Sequence, residues 1–145
     1  MDLILWRHAD AADGSPDLAR ELTALGRTQA ARVAAWMHAH LPAGFQILAS
    51  PAVRAQQTAQ ALAMPLTTVP ALAPGASVEA ILGAAAWPAR PAAVVIVGHQ
   101  PDLGRVAAFL LSGNAAEWPI EKAALWWLAG ARRPALKAVI SADLL

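Results

Sequence analysis

The chain contains no cysteine. That excludes disulfides, thiolate zinc sites and cysteine nucleophiles, and it fits a reducing compartment, so a cytoplasmic location is expected. Charge is scarce as well: 14% of residues are charged and the formal net charge is +1. A chain this near neutrality offers no electrostatic reason to expect nucleic acid or a membrane surface as a partner. No apolar run reaches the ~18 residues read as a membrane-spanning helix. The opening Met1-Asp2-Leu3-Ile4-Leu5-Trp6-Arg7 lacks the basic region and long apolar stretch of a secretory signal. Walker A and GxGxxG loops, an HExxH helix and paired Cys/His spacings are all missing. Any anion must therefore be held by side chains, and no metal or other cofactor is implied. There is no internal repeat and no low-complexity linker.

What is present is a 145-residue chain that is 57% hydrophobic, enough for one domain, residues 1–145, around a true core. Leu3-Ile4-Leu5-Trp6 is a buried strand running into Arg7 and His8. Residues 10–21 form a turn-rich loop with four acids, Asp10, Asp13, Asp17 and Glu21. Thr23 caps a helix over 24–41, with Leu25, Gln29, Val33, Trp36, Met37 and His40 on its inward face. A strand over 45–49 follows, then Ser50 at N-cap and Pro51 at N1 of a helix reaching about residue 62. Beyond it lie a brief strand at 66–69, a helix over 78–86 capped by Ser77, a strand at 92–97 and a helix over 102–111. Two final strands, 123–129 and 136–144, are joined by a turn. This alternation predicts an α/β fold, a three-layer α/β/α sandwich with a mainly parallel central sheet.

Three positions carry chemistry. Arg7 and His8 stand at the C-terminal end of the first strand, where an open α/β sheet binds its ligands. His99 stands at the end of the 92–97 strand, after Gly98. Arg54 lies in the first turn of its helix, where a cation opposes the positive end of the dipole. Either it extends to solvent, or it closes on an anion already held by that helix terminus. Strand ends of a parallel sheet share one edge, so Arg7, His8, Arg54 and His99 are placed to converge. Arginine's planar fork matches phosphate oxygens, and histidine can attack phosphorus and carry the phosphoryl group.

These residues lie in motifs that resemble the histidine phosphatase superfamily, the phosphoglycerate-mutase-like fold. Arg7-His8-Ala9 resembles its Arg-His-Gly hallmark. Residues 22–30, Leu-Thr-Ala-Leu-Gly-Arg-Thr-Gln-Ala, resemble its LTxxGxxQA helix. Residues 50–59, beginning Ser-Pro-Ala-Val-Arg, resemble SPxxRAxQTA, and Val97-Gly98-His99-Gln100-Pro101 resembles VGHxP. The resemblance implies that His8 is the nucleophile that becomes phosphohistidine. Arg7, Arg54 and His99 complete the catalytic phosphate-binding pocket.

Two departures stand out. Ala9 replaces the hallmark glycine, and the pocket should survive if the backbone there keeps φ below zero. The glutamate acid of the larger branches has no counterpart. Glu79 is the sole carboxylate between residues 70 and 92, and Asp102 lies just past His99; these two are the candidate general acids. The short middle section favours the SixA-type protein phosphohistidine phosphatases. An imidazole leaving group is easily protonated, and the absence of a lid leaves the site open to a histidine on another protein. The partner implied is a phosphohistidine-containing protein, with the reaction expected to need no metal. The alternatives are a phosphomonoesterase for a small phosphorylated metabolite or nucleotide, and a slow-turnover module that binds phosphate or a phosphoprotein. The acidic loop either rims the pocket or is simply solvated.

Overall fold

The first strand's apolar run is divided between two cores, because successive side chains of a strand point to opposite faces. Ile4 and Trp6 join one buried cluster, whereas Leu3 and Leu5 join another on the far side of the sheet. The computed structural model describes residues 1–145. Six strands make one sheet: β1 (Asp2–Arg7), β2 (Gln46–Ala49), β3 (Thr67–Thr68), β4 (Val94–Gly98), β5 (Leu125–Ala129) and β6 (Ala135–Ile140). Four helices cover it: α1 (Ala24–His40), α2 (Val53–Gln60), α3 (Val78–Ala84) and α4 (Asp102–Ser112). The strand order is β3-β2-β4-β1-β5-β6. The first four in that order run parallel, and β5 and β6 add an antiparallel hairpin beside β1. The first cluster is filled from α1 and α2 by Ala30, Val33, Met37, Ala55 and Ala59. The second is filled from α3 and α4 by Ile81, Leu103, Val106 and Ala107. This is the three-layer α/β arrangement with a mostly parallel sheet that the alternation predicts.

Several local expectations hold. Thr23 Oγ1 accepts the Gly26 N–H at the start of α1, and Ser77 Oγ accepts the Ala80 N–H at the start of α3. Trp127 enters the first cluster while Trp126 packs against the second.

Others need correction. Leu25 is 60% exposed, and His40 is also exposed. The inward face of α1 is instead Gly26, Ala30, Val33, Ala34 and Met37. The rotation follows from Gly26, where the helix meets the loop after β1: a Cβ there would lie 2.0 Å from the Asp10 carbonyl oxygen. Helix α2 begins at Val53 with Ala52 at its N-cap, not at Ser50. The last strand ends at Ile140, and a 3-10 turn over Ala142–Leu144 follows because Ala142 turns inward to the first cluster.

Candidate functional site

Register assembles the site. Arg7 pairs with Gly98 across β1 and β4, so His8 and His99 are the next residues on neighbouring parallel strands. Their rings stand 5.3 Å apart, centroid to centroid. Ala49 pairs with Val97, and the Ser50 N–H donates to the Val97 carbonyl, which brings the end of β2 to the same edge. Helix α2 then swings Arg54 across it. All four residues expected from the sequence, Arg7, His8, Arg54 and His99, are brought together.

His8 has a defined tautomer. Its Nδ1 lies 2.8 Å from the Ala9 carbonyl oxygen, which only accepts, so Nδ1 carries the proton. Nε2 is left with a lone pair, toward which Arg54 Nε–H points at 3.3 Å. Burial pushes the His8 pKa down to about 4; the bond to Ala9 opposes this, and the charges of Arg54, Arg7 and Arg20 add to it. At neutral pH the imidazole is uncharged and its Nε2 is free to attack. Ala9 itself is buried and lies outside the positive-φ region, so alanine fits where the hallmark has glycine. Its N–H donates to Thr58 Oγ1 at 3.0 Å, and Thr58 in turn donates to the Arg54 carbonyl at 2.7 Å, tying the loop after β1 to α2.

His99 is held by Ser50, a residue whose place before Pro51 has the form of a helix cap. Ser50 Oγ lies 2.8 Å from His99 Nε2 and accepts the Ala52 N–H at 3.2 Å. The other ring nitrogen, Nδ1, is buried and has no partner. Burial first, and the neighbouring His8 and Arg54 next, lower the His99 pKa to about 3. Arg7 shows the same pattern. One terminal nitrogen donates to the Ile120 carbonyl at 2.9 Å, while its buried Nε has no partner; burial also lowers its pKa. An unmade buried hydrogen bond costs about 1–3 kcal/mol. The unpartnered Arg7 Nε–H, and the His99 Nδ1 whenever Ser50 donates to Nε2, are suited to an oxyanion.

Arg54 is buried, and both terminal nitrogens meet one residue. Nη1 donates to the Asp17 carbonyl at 2.9 Å and Nη2 to Asp17 Oδ2 at 3.1 Å. The other Asp17 oxygen pairs with Arg20 Nη1 at 3.0 Å. Hydrogen bonds from Arg20 and then Arg54 hold the Asp17 carboxyl below the usual range. Of the two open views of the acidic loop, the rim is correct for this residue. Its role as Arg54's counter-charge is not legible in the sequence, where four acids in one loop give only a weak signal for it. The loop is pinned by Gln29, which accepts the Asp10 N–H, and by Gln57, which accepts the Leu22 N–H. Asp10 also accepts from Thr23 and Lys122, with Lys122 chiefly lowering its pKa.

The two candidate acids lie elsewhere in the hydrogen-bond network. Glu79 is exposed in the first turn of α3. Asp102 is buried, and its Oδ2 accepts the N–H groups of Gly75 and Ala76. Burial raises its pKa, against the pull of those bonds. Neither is hydrogen-bonded to Arg7, His8, Arg54 or His99. No group of three or more His, Cys, Asp or Glu side chains is arranged to hold a metal. A cavity of about 310 Å³ opens beside Arg7, lined also by Gln29, Glu121 and Lys122. No helix is long and apolar enough to cross a membrane.

The family described as "Histidine phosphatase superfamily (branch 1)" matches residues 3–75. An uncharacterized protein of Picosynechococcus sp. is 40% identical over 125 residues, 79% of this chain and 75% of that protein. The chain belongs to the histidine phosphatase superfamily, branch 1. Among solved structures, the protein histidine phosphatase SixA complexed with tungstate superposes with a TM-score of 0.86 at 23% identity, covering 99% of each chain. The candidate phosphohistidine phosphatase SixA from Nakamurella multipartitia gives 0.78 at 29% identity, covering 96% of this chain and 94% of that one. A phosphoserine phosphatase H9A mutant from Entamoeba histolytica, in complex with phosphoserine, gives 0.73 at 17%, covering 99% and 98%. The first and third of these show the shared fold.

Proposed function

We propose that residues 1–145 form a single phosphatase domain that works through a phosphohistidine at His8, and that its substrate is a phosphohistidine-containing protein. The observation that carries this is the unprotonated His8 Nε2 facing Arg54 Nε, with two buried nitrogens without partners, Arg7 Nε and His99 Nδ1, on the neighbouring site residues. In the first step the Nε2 lone pair attacks phosphorus, the bond to the leaving group breaks, and its electron pair departs with that group. In the second, water attacks the phosphorus on His8, the P–N bond returns its electrons to Nε2, and both protons of that water leave with the phosphate product. Arg7, Arg54 and the His99 Nδ1–H hold the phosphoryl oxygens, where preorganised donors act most strongly on developing charge. In this reading Ser50 donates to His99 Nε2, which leaves the ring proton on Nδ1. Asp102 ties the 73–76 loop to α4, which leaves Glu79 and Asp102 as weaker candidates for a proton donor.

The choice of substrate is supported by the short 70–92 section of the chain and by the similarity to SixA proteins. A second reading, hydrolysis of a small phosphorylated metabolite, is favoured by the fold shared with a phosphoserine phosphatase. That neither Glu79 nor Asp102 is hydrogen-bonded to Arg7, His8, Arg54 or His99 favours a third, a slow module that binds phosphate or a phosphoprotein. One experiment separates them: phosphate release from a phosphohistidine protein, phosphoserine and a nucleoside monophosphate, with and without chelator. The proposal requires the first to be fastest and the chelator to have no effect. Binding of phosphate without release from any of them, and without label trapped on His8, supports the third reading.

A further inference from the structure

The site holds a nucleophile and oxyanion donors, yet no residue within it is placed to protonate a departing group. Asp17 lies at its mouth, one guanidinium away from His8. Arg54 Nε faces His8 Nε2, while its Nη2 holds Asp17 Oδ2 at 3.1 Å. The Asp17 side chain is 58% exposed, so an incoming side chain can reach it. Each of its oxygens uses one lone pair, on Arg20 or on Arg54, and a carboxylate keeps a second on each. Two arginines at about 3 Å make it an anion, not an acid.

We propose that Asp17 determines specificity by accepting the ring N–H of a phosphorylated imidazole, thereby holding on the substrate the proton that its departure requires. This rests on the phosphohistidine reading above. A phosphoimidazole protonated on its second nitrogen is a cationic ring. When His8 Nε2 forms its bond to phosphorus, the substrate's P–N bond breaks and the electron pair goes to the departing nitrogen. That nitrogen becomes the lone-pair nitrogen of a neutral imidazole, the N–H on the other nitrogen stays in place, and no proton is transferred. The site therefore needs no general acid for this leaving group. A nearby carboxylate favours the charged ring and so keeps it protonated to higher pH. An alcohol ester has no such nitrogen, so its oxygen must leave as an alkoxide or take a proton from elsewhere. Asp17 and the missing acid are thus two sides of one selectivity.

The test compares Asp17→Asn, Asp17→Glu and wild type on a phosphohistidine protein and on 4-nitrophenyl phosphate, whose phenolate leaves without a proton. Asparagine can still accept from Arg54 but has no charge. The ratio of kcat/KM for phosphohistidine to that for the nitrophenyl ester should fall about 10- to 100-fold in Asp17→Asn, the worth of a charge-assisted hydrogen bond. It should be largely restored in Asp17→Glu. The alkaline limb of the phosphohistidine profile should also move to lower pH in Asp17→Asn. Parallel loss on both substrates, with that limb unmoved, reduces Asp17 to a prop for Arg54 and overturns the inference while leaving the substrate assignment intact. A wild-type protein that cleaves the nitrophenyl ester but not phosphohistidine overturns the substrate assignment and this inference with it.

Discussion

The two halves of the sheet differ sharply in what they bury. On the parallel side, His8 follows β1, Ser50 follows β2 and His99 follows β4, while Arg54, Thr58 and Asp102 lie in the helices that come next. These are all six of the buried polar or charged residues. The antiparallel hairpin β5–β6 contributes none. Its outer strand leaves Leu136 and Val139 42% and 47% exposed, and Lys137 Nζ sits 4.2 Å above the Trp127 ring. The reason is directional. Parallel strands all finish at one edge, so residues far apart in sequence meet there, whereas a hairpin's strands finish at opposite edges. The cost of burying polar groups is concentrated where they can act together, and the hairpin serves to seal β1.

That contrast can be broken experimentally. The largest effect is expected at the strand end of β1: His8→Ala should lower turnover by on the order of 10⁴-fold or more and abolish trapping of labelled phosphate, with the fold retained by circular dichroism. Arg54→Ala should lower kcat/KM by about 10²–10³-fold, the scale for removing one oxyanion donor; a loss below tenfold would show that the parallel edge does not act as a unit.

A third effect is on stability. His8 and His99 have folded-state pKa values near 4 and 3, below the ~6.5 of an unfolded histidine. Between those values the unfolded chain binds more protons, so these histidines add stability that is fully present above about pH 6.5 and lost as pH falls through that window. Tm should therefore drop between pH 6.5 and 4, and His99→Gln should flatten the drop; equal slopes in both proteins would refute the assignment. The smallest effect belongs to the hairpin. Val139→Thr should change stability by less than about 0.5 kcal/mol in urea unfolding and leave kcat/KM unaltered.

Much of this was legible in the chain. The apolar run before Arg7-His8, the Val94–Gly98 strand before His99 and the Thr23 and Ser77 caps are local signals, carried by neighbours in sequence. They were enough for the order of the elements and for the four residues at the centre. What local signals misjudged depended on distant contacts. Leu25 has helical spacing with the core, yet the close approach of Asp10 to Gly26 turns the helix away from it. Ser50-Pro51 has the form of a helix start, yet the Ser50 hydroxyl is drawn to His99, across from the neighbouring strand.

The same division holds at the site. The sequence by itself determined which side chains stand at the ends of β1 and β4 and at the head of α2, because strand termination and helix initiation are decided over a few residues. Only the tertiary structure decided their protonation and their partners: the proton on His8 Nδ1, the unpaired Nδ1 of His99, and Asp17 as the counter-charge of Arg54. Burial and hydrogen-bond direction set those properties, and both come from groups that folding brings together across the sheet.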